Sequence, residues 1–157
     1  SLMRALYLSA LAALGIDQMS KVIVVHLMDL KTVLSIPVAP PYLVFRMGWN
    51  EGINFGLLSG AGARWLLIAV AVIVSGLLIR WARNFRRPMA FVSAGLVVGG
   101  AIANVLDRLI YGAVADLLNM SCCGIENPYA FNLADVFIFA GAVGLIFWAD
   151  DKTAKTP

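Results

Sequence analysis

The sequence predicts an all-α integral membrane protein, with four transmembrane helices, both termini in the cytoplasm, and a small β-sheet on the outer membrane surface. Three observations carry that expectation. Apolar residues (AVILMFWYC) make up 61% of the 157 residues and charged residues 13%, with a mean hydropathy of +0.87. A soluble domain holds roughly 45–50% apolar and about 25% charged residues, and so few charges could not cover so much apolar surface. The apolar residues recur in long runs along the whole chain, and the cations cluster on one side of those runs. Disorder requires the reverse composition. A cleavable leader would account for the first run alone.

A helix that crosses the hydrocarbon needs about 20 mostly apolar residues. Four segments qualify, residues 2–26, 65–81, 89–111 and 131–148. What remains is too little for a separate soluble unit, so residues 1–157 read as a single membrane domain. Arg4, Arg80, Arg83, Arg86, Arg87, Lys152 and Lys155 fall on one side of the spans, against Lys31, Arg46 and Arg64 on the other. Cations favour the cytoplasmic side, which puts both termini there. The net charge of +3 is therefore a topology signal and not the footprint of a nucleic-acid binder. Tyr7, Trp65, Trp81, Tyr111 and Trp148 lie near span ends, where aromatic rings favour the interface.

Two connections lie on the outer side. In the first, the β-rich residues 28–64, Pro37, Pro40 and Pro41 interrupt the chain. Residues 42–47 then read as a strand, Asn50-Glu51-Gly52 as a turn, and residues 53–58 as a returning strand. The second, residues 112–130, contains Gly112, Gly124 and Pro128 and reads as irregular. Cys122 and Cys123 build neither a disulfide framework nor a zinc site. Adjacent cysteines rarely bridge one another without strain, so both read as plain loop residues.

Polar groups inside spans cost on the order of 2.5–3.5 kcal/mol each at mid-helix and need a partner or a purpose. Asp17 and Lys21 stand at i, i+4 on one helical face, consistent either with a structural ion pair or with a pair that shapes a site. Asn104, Asp107, Arg108 and Tyr111 form a polar stripe at i, i+3, i+4 and i+7, below which Gly99, Gly100 and Ala103 allow close helix approach. The stripe fits interhelical hydrogen bonding or support for a catalytic centre. His26, without a metal partner, reads as interfacial. Asp116, just after the third span, and Asp135, at the start of the fourth, fall together at the outer surface. Two carboxylates brought together share a proton, which suits aspartyl hydrolysis, although paired acids also bind cations or relay protons.

These blocks together resemble the bacterial lipoprotein signal peptidases (signal peptidase II). Asp17-Gln18-Met19-Ser20-Lys21 is similar to the family's first motif, and Asn50-Glu51-Gly52-Ile53-Asn54-Phe55-Gly56 to its N-x-G-x-x-F motif. The run from Gly99-Gly100 through Asn104 to Asp107-Arg108 resembles G-G-x-x-x-N-x-x-D-R. Val114-Ala115-Asp116 and Phe131-Asn132-Leu133-Ala134-Asp135 resemble the blocks that carry the catalytic aspartates. Asn54, Ala103 and Ala115 depart from the family's usual alanine, glycine and valine.

The resemblance implies an aspartyl endopeptidase of the bacterial cytoplasmic membrane, with its active site at the outer face. It cuts diacylglyceryl-modified prolipoproteins just before the lipid-bearing cysteine. Asp116 and Asp135 are then the catalytic pair, and Asp17, Lys21, Asn50, Gly52, Gly100, Asn104, Asp107, Arg108 and Asn132 bind substrate or support the site. No metal or organic cofactor is expected. The expected partners are lipid-modified prolipoproteins and membrane lipids, never nucleic acid, with the enzyme working as a monomer.

Overall fold

The computed structural model describes residues 1–52 and 61–150. Its elements, in chain order, are α1 (Leu2–Lys21), a π-helical continuation of it (Val22–Leu27), a short α2 (Leu30–Val33), β1 (Ser35–Ala39), β2 (Leu43–Asn50), α3 (Ala61–Ala82), α4 (Pro88–Tyr111), β3 (Val114–Asn119) and α5 (Leu133–Trp148). The switch from α to π geometry coincides with Val22-Ile23-Val24-Val25, a β-branched run that crowds the ordinary helical turn.

Leu2–Leu27, Gly62–Ala82 and Pro88–Tyr111 are long and apolar enough to cross a membrane. The expected fourth span differs. The helix begins at Leu133 and has 16 residues, because Phe131 is held in a bridge to Leu118 and Asn132 is the N-cap. α4 is the central helix, packed against α1, α3 and α5. Its contacts with α1 and α5 are close because its facing residues are small. A Cβ on Gly100 would lie 2.6 Å from the Ala134 carbonyl oxygen and 2.7 Å from Ile138. Pro88 opens α4 at the position where a missing N–H costs nothing. Gly112 closes it with φ +78°, a left-handed conformation that glycine adopts without strain.

The sheet is antiparallel in the order β1-β2-β3. β2 covers most of the expected strand at 42–47, and β1 carries Pro37 on a sheet edge, where a missing donor is tolerated. The expected returning strand at 53–58 lies outside the described residues. The expectation of an irregular 112–130 connection is overturned by β3. This strand is buried on both faces, from Val114 through Leu117, so it lacks the alternating pattern by which half-buried strands are recognised. One face packs on the π segment and the start of α2, where Val24, Val25 and Leu30 meet Ala115 and Leu117. Beyond it, Cys122 and Cys123 are joined to each other in a disulfide, a second correction to the sequence reading.

Candidate active site

β2 and β3 bring the connections after α1 and after α4 together over the end of α4. Gly48 pairs with Asp116 and Asn50 with Val114. The Gly112 turn is therefore what carries Asp116 from the end of α4 back to the helix mouth. α5 begins beside it, and Asp135 occupies the third position of a capping box. The Asn132 side chain accepts from Asp135 N at 2.9 Å, and Asp135 Oδ2 accepts from Asn132 N at 3.2 Å.

Asn132 also reaches the other acid. Its Nδ2 donates to Asp116 Oδ1 at 2.9 Å and to Asn104 Oδ1 at 3.3 Å. Asn104 in turn places its Nδ2 3.4 Å from Asp135 Oδ1, and Asn50 hydrogen-bonds Asp116. A cavity of about 130 Å³ is lined by Asn50, Gly52, Asn104, Arg108, Val114, Asp116 and Asp135. Arg108 donates from Nη2 to the Gly52 carbonyl at 2.8 Å, while its buried Nε has no hydrogen-bond partner among the described residues.

Burial, and next the neighbouring charge of Asp135, push the Asp116 carboxyl up to about 7. The hydrogen bonds from Asn50 and Asn132 and the charge of Lys21 pull it only partly back. Desolvation and the like charge both favour the protonated form of Asp116.

A second acid pair lies beneath the first. Lys21 Nζ stands 2.7 Å from Asp17 Oδ2 and 2.7 Å from Asp107 Oδ2, with all three side chains almost wholly buried. Each of these acids also accepts from a backbone amide beneath the outer pair. Ala115 N donates to Asp107 Oδ2 at 3.0 Å, and Ala134 N donates to Asp17 Oδ1 at 2.9 Å. These amides belong to the residues immediately before Asp116 and Asp135. The inner pair thus ties α1 and α4 to the backbone that presents each outer acid.

Of the expected site residues, Asn50, Gly52, Asn104, Arg108, Asp116 and Asp135 line the cavity, Asn132 joins the two acids, Asp17, Lys21 and Asp107 lie beneath them, and Gly100 serves helix packing against Ala134 and Ile138. His26 stands apart, with Nε2 2.9 Å from the Tyr111 hydroxyl and its ring stacked on that tyrosine. The sequence reading passed over Gln18, whose Nε2 reaches both inner acids, and Val114, whose pairing with Asn50 sets it on the cavity wall. A polar side chain inside an apolar span was the available signal for Gln18. Val114 offered none. Among the described residues, no cluster of histidine, cysteine and acidic side chains could hold a metal ion.

An apolar helix bundle with a polar, two-carboxylate cavity at one end defines the class: a membrane-embedded protein with a paired-carboxylate site. The comparisons narrow it. The family model for signal peptidase (SPase) II matches residues 9–149. The chain is 40% identical over 142 residues to the lipoprotein signal peptidase of Methylorubrum extorquens (strain PA1), covering 88% of this chain and 81% of that one. It is 35% identical over 161 residues to that of Nitrobacter hamburgensis (strain DSM 10229 / NCIMB 13809 / X14), covering 99% and 95%. Two crystal structures of a bacterial membrane enzyme, obtained by the in meso method at 2.3 and 1.9 Å resolution, superpose with a TM-score of 0.74 each. They are 25% and 26% identical and cover 89% of this chain. The chain belongs to the signal peptidase II family.

Proposed function

We propose that Asp116 and Asp135 form an aspartyl peptidase dyad that cleaves diacylglyceryl-modified prolipoproteins just before the lipidated cysteine. By family the protein is a membrane peptidase whose reaction removes the signal peptide of lipoprotein precursors. In this reading α5 completes four spans, both termini face the cytoplasm, and the site opens at the outer face of the bacterial cytoplasmic membrane. The single observation that carries the reading is Asn132. One side chain donates to Asp116 Oδ1 and accepts from Asp135 N, so both acids are held by one residue at one cavity.

The chemistry follows from a pair that holds one proton. The ionised carboxylate removes a proton from water as its oxygen bonds to the scissile carbonyl carbon. The protonated carboxyl donates to the carbonyl oxygen. The tetrahedral adduct then collapses: the C–N bond breaks, the departing amine takes a proton, and the acid and amine products separate. A signal helix must unwind to be cut, which frees backbone N–H and C=O groups that need polar partners at membrane depth. Asn50, Asn104 and Arg108, whose Nε has no hydrogen-bond partner among the described residues, line the cavity in position to supply them. Each acyl-chain CH₂ adds about 0.8 kcal/mol of membrane affinity, which confines a lipidated substrate to the plane of the site.

Mass analysis of products from a lipidated precursor and its unlipidated counterpart, incubated with the protein in bicelles, tests this. The expected result is one cut, immediately before the modified cysteine, in the lipidated form alone. Equal cleavage of both forms, or a cut elsewhere, would reject the substrate assignment.

A further inference from the structure

The dyad reading leaves Gln18 without a part, although it is the most connected neutral side chain beneath the site. Its Nε2 lies 3.1 Å from Asp107 Oδ1, 3.2 Å from Asp17 Oδ2 and 3.3 Å from the Ala103 carbonyl oxygen. Ala103 is fully buried and small, which lets the amide sit against α4. Lys21 reaches Oδ2 of each acid, and Ala115 N also donates to Asp107 Oδ2. Gln18 is thus the donor to Asp107 Oδ1, the oxygen that these contacts leave free. An ammonium is a compact point charge that neutralises a carboxylate without fixing its rotation. A planar amide donating to the second oxygen does fix it.

We propose that Gln18 is a positioning residue for the reaction. It sets the orientation of the Asp107 carboxylate and, through that acid's acceptor bond to Ala115 N, the placement of Asp116 against Asp135. This rests on the assignment of those two aspartates as the catalytic pair. Sites of this kind require placement to within about 0.5 Å, and a misplacement of about 1 Å can cost on the order of 10²-fold in rate.

The test compares wild type with Gln18→Leu and Gln18→Glu, reading kcat, KM and the pH profile for a diacylglyceryl-modified precursor in bicelles. Asp116→Asn and Asp135→Asn are run in parallel. Leucine keeps the bulk and removes the donors, and is expected to lower kcat by about 10- to 100-fold with KM held within about 3-fold. Glutamate is repelled by the acids when ionised, but donates to Asp107 Oδ1 when protonated. Its deficit against wild type should therefore shrink by about 10-fold as pH falls across the active range. A packing role would give no such pH-dependent rescue.

If Gln18→Leu does not fold, Gln18→Glu alone decides the matter. A folded Gln18→Leu with kcat within about 2-fold of wild type, or a Gln18→Glu deficit that does not change with pH, would overturn the proposal. Inactive asparagine variants beside an unimpaired Gln18→Leu would remove Gln18 and leave the dyad standing. Active asparagine variants would remove both.

Discussion

Asp17 and Asp107 form one pair of aspartates, Asp116 and Asp135 another, and the two pairs are adjacent in space but opposite in chemistry. The inner acids are wholly buried, carry Lys21 between them at 2.7 Å from each, and receive backbone amides at Ala115 and Ala134. Each of their four carboxylate oxygens has a donor. The outer acids line a cavity and are held by the amides of Asn50, Asn104 and Asn132. Among the described residues no lysine or arginine is in ion-pair contact with either, since Arg108 donates instead to the Gly52 carbonyl. The same side chain is thus a structural anchor where a cation saturates it and, in the proposed function, a reactive acid where only neutral donors hold it beside a like charge.

The largest expected effect separates the pairs by activity. Asp116→Asn or Asp135→Asn should lower kcat by ~10²–10⁴-fold or more with the fold retained. Lys21→Met should separate them by stability. It leaves two buried carboxylates without their cation and is expected to cost about 3–5 kcal/mol, read as a fall in thermal midpoint in detergent–lipid mixtures. Replacing Lys21 and Asp17 together should recover part of that loss, and no recovery would mean the pair is not coupled as described.

A further effect concerns pH. The Asp116 carboxyl in the folded protein is pushed from 3.8 to about 7. Between those values the unfolded chain releases a proton that the folded one keeps, so this group's contribution to stability is full at low pH and is lost as pH rises toward about 7. Asp116→Asn should flatten the stability curve over that window, and an unchanged slope would contradict the environment assigned to this acid. The smallest effect is steric. Gly100→Ala places a methyl 2.6 Å from the Ala134 carbonyl oxygen, and should cost about 1–3 kcal/mol and reduce activity by displacing the first turn of α5.

Much of the frame was readable from residue types alone. Unbroken apolar runs mark α1 with its π continuation, α3 and α4 to within a few residues, because a helix in lipid must be apolar on nearly every side. The charged residues inside those runs drew attention to Asp17, Lys21, Asp107 and Arg108 for the same reason, and the fold gathers them. β3 was hidden because both of its faces are buried. The start of α5 was hidden because the Asn132 cap is a tertiary fact: its side chain is fixed by Asp116 and Asn104 as much as by its own helix. The bridge between Cys122 and Cys123 ran against a general expectation about neighbouring cysteines. Gln18 was visible as a polar residue in a span, but its importance lies in reaching two acids 89 residues apart in one case and adjacent in the other.

The most direct test of the central claim, that the outer acids perform the reaction while sharing one proton, is the pH dependence of kcat/KM for a lipidated precursor from about pH 4 to about pH 9. The account predicts a bell-shaped profile whose two limbs belong to the pair, and activity lowered by ~10²–10⁴-fold or more at every pH in Asp116→Asn or Asp135→Asn. A profile flat across the range, or an asparagine variant that retains the wild-type curve, would contradict it.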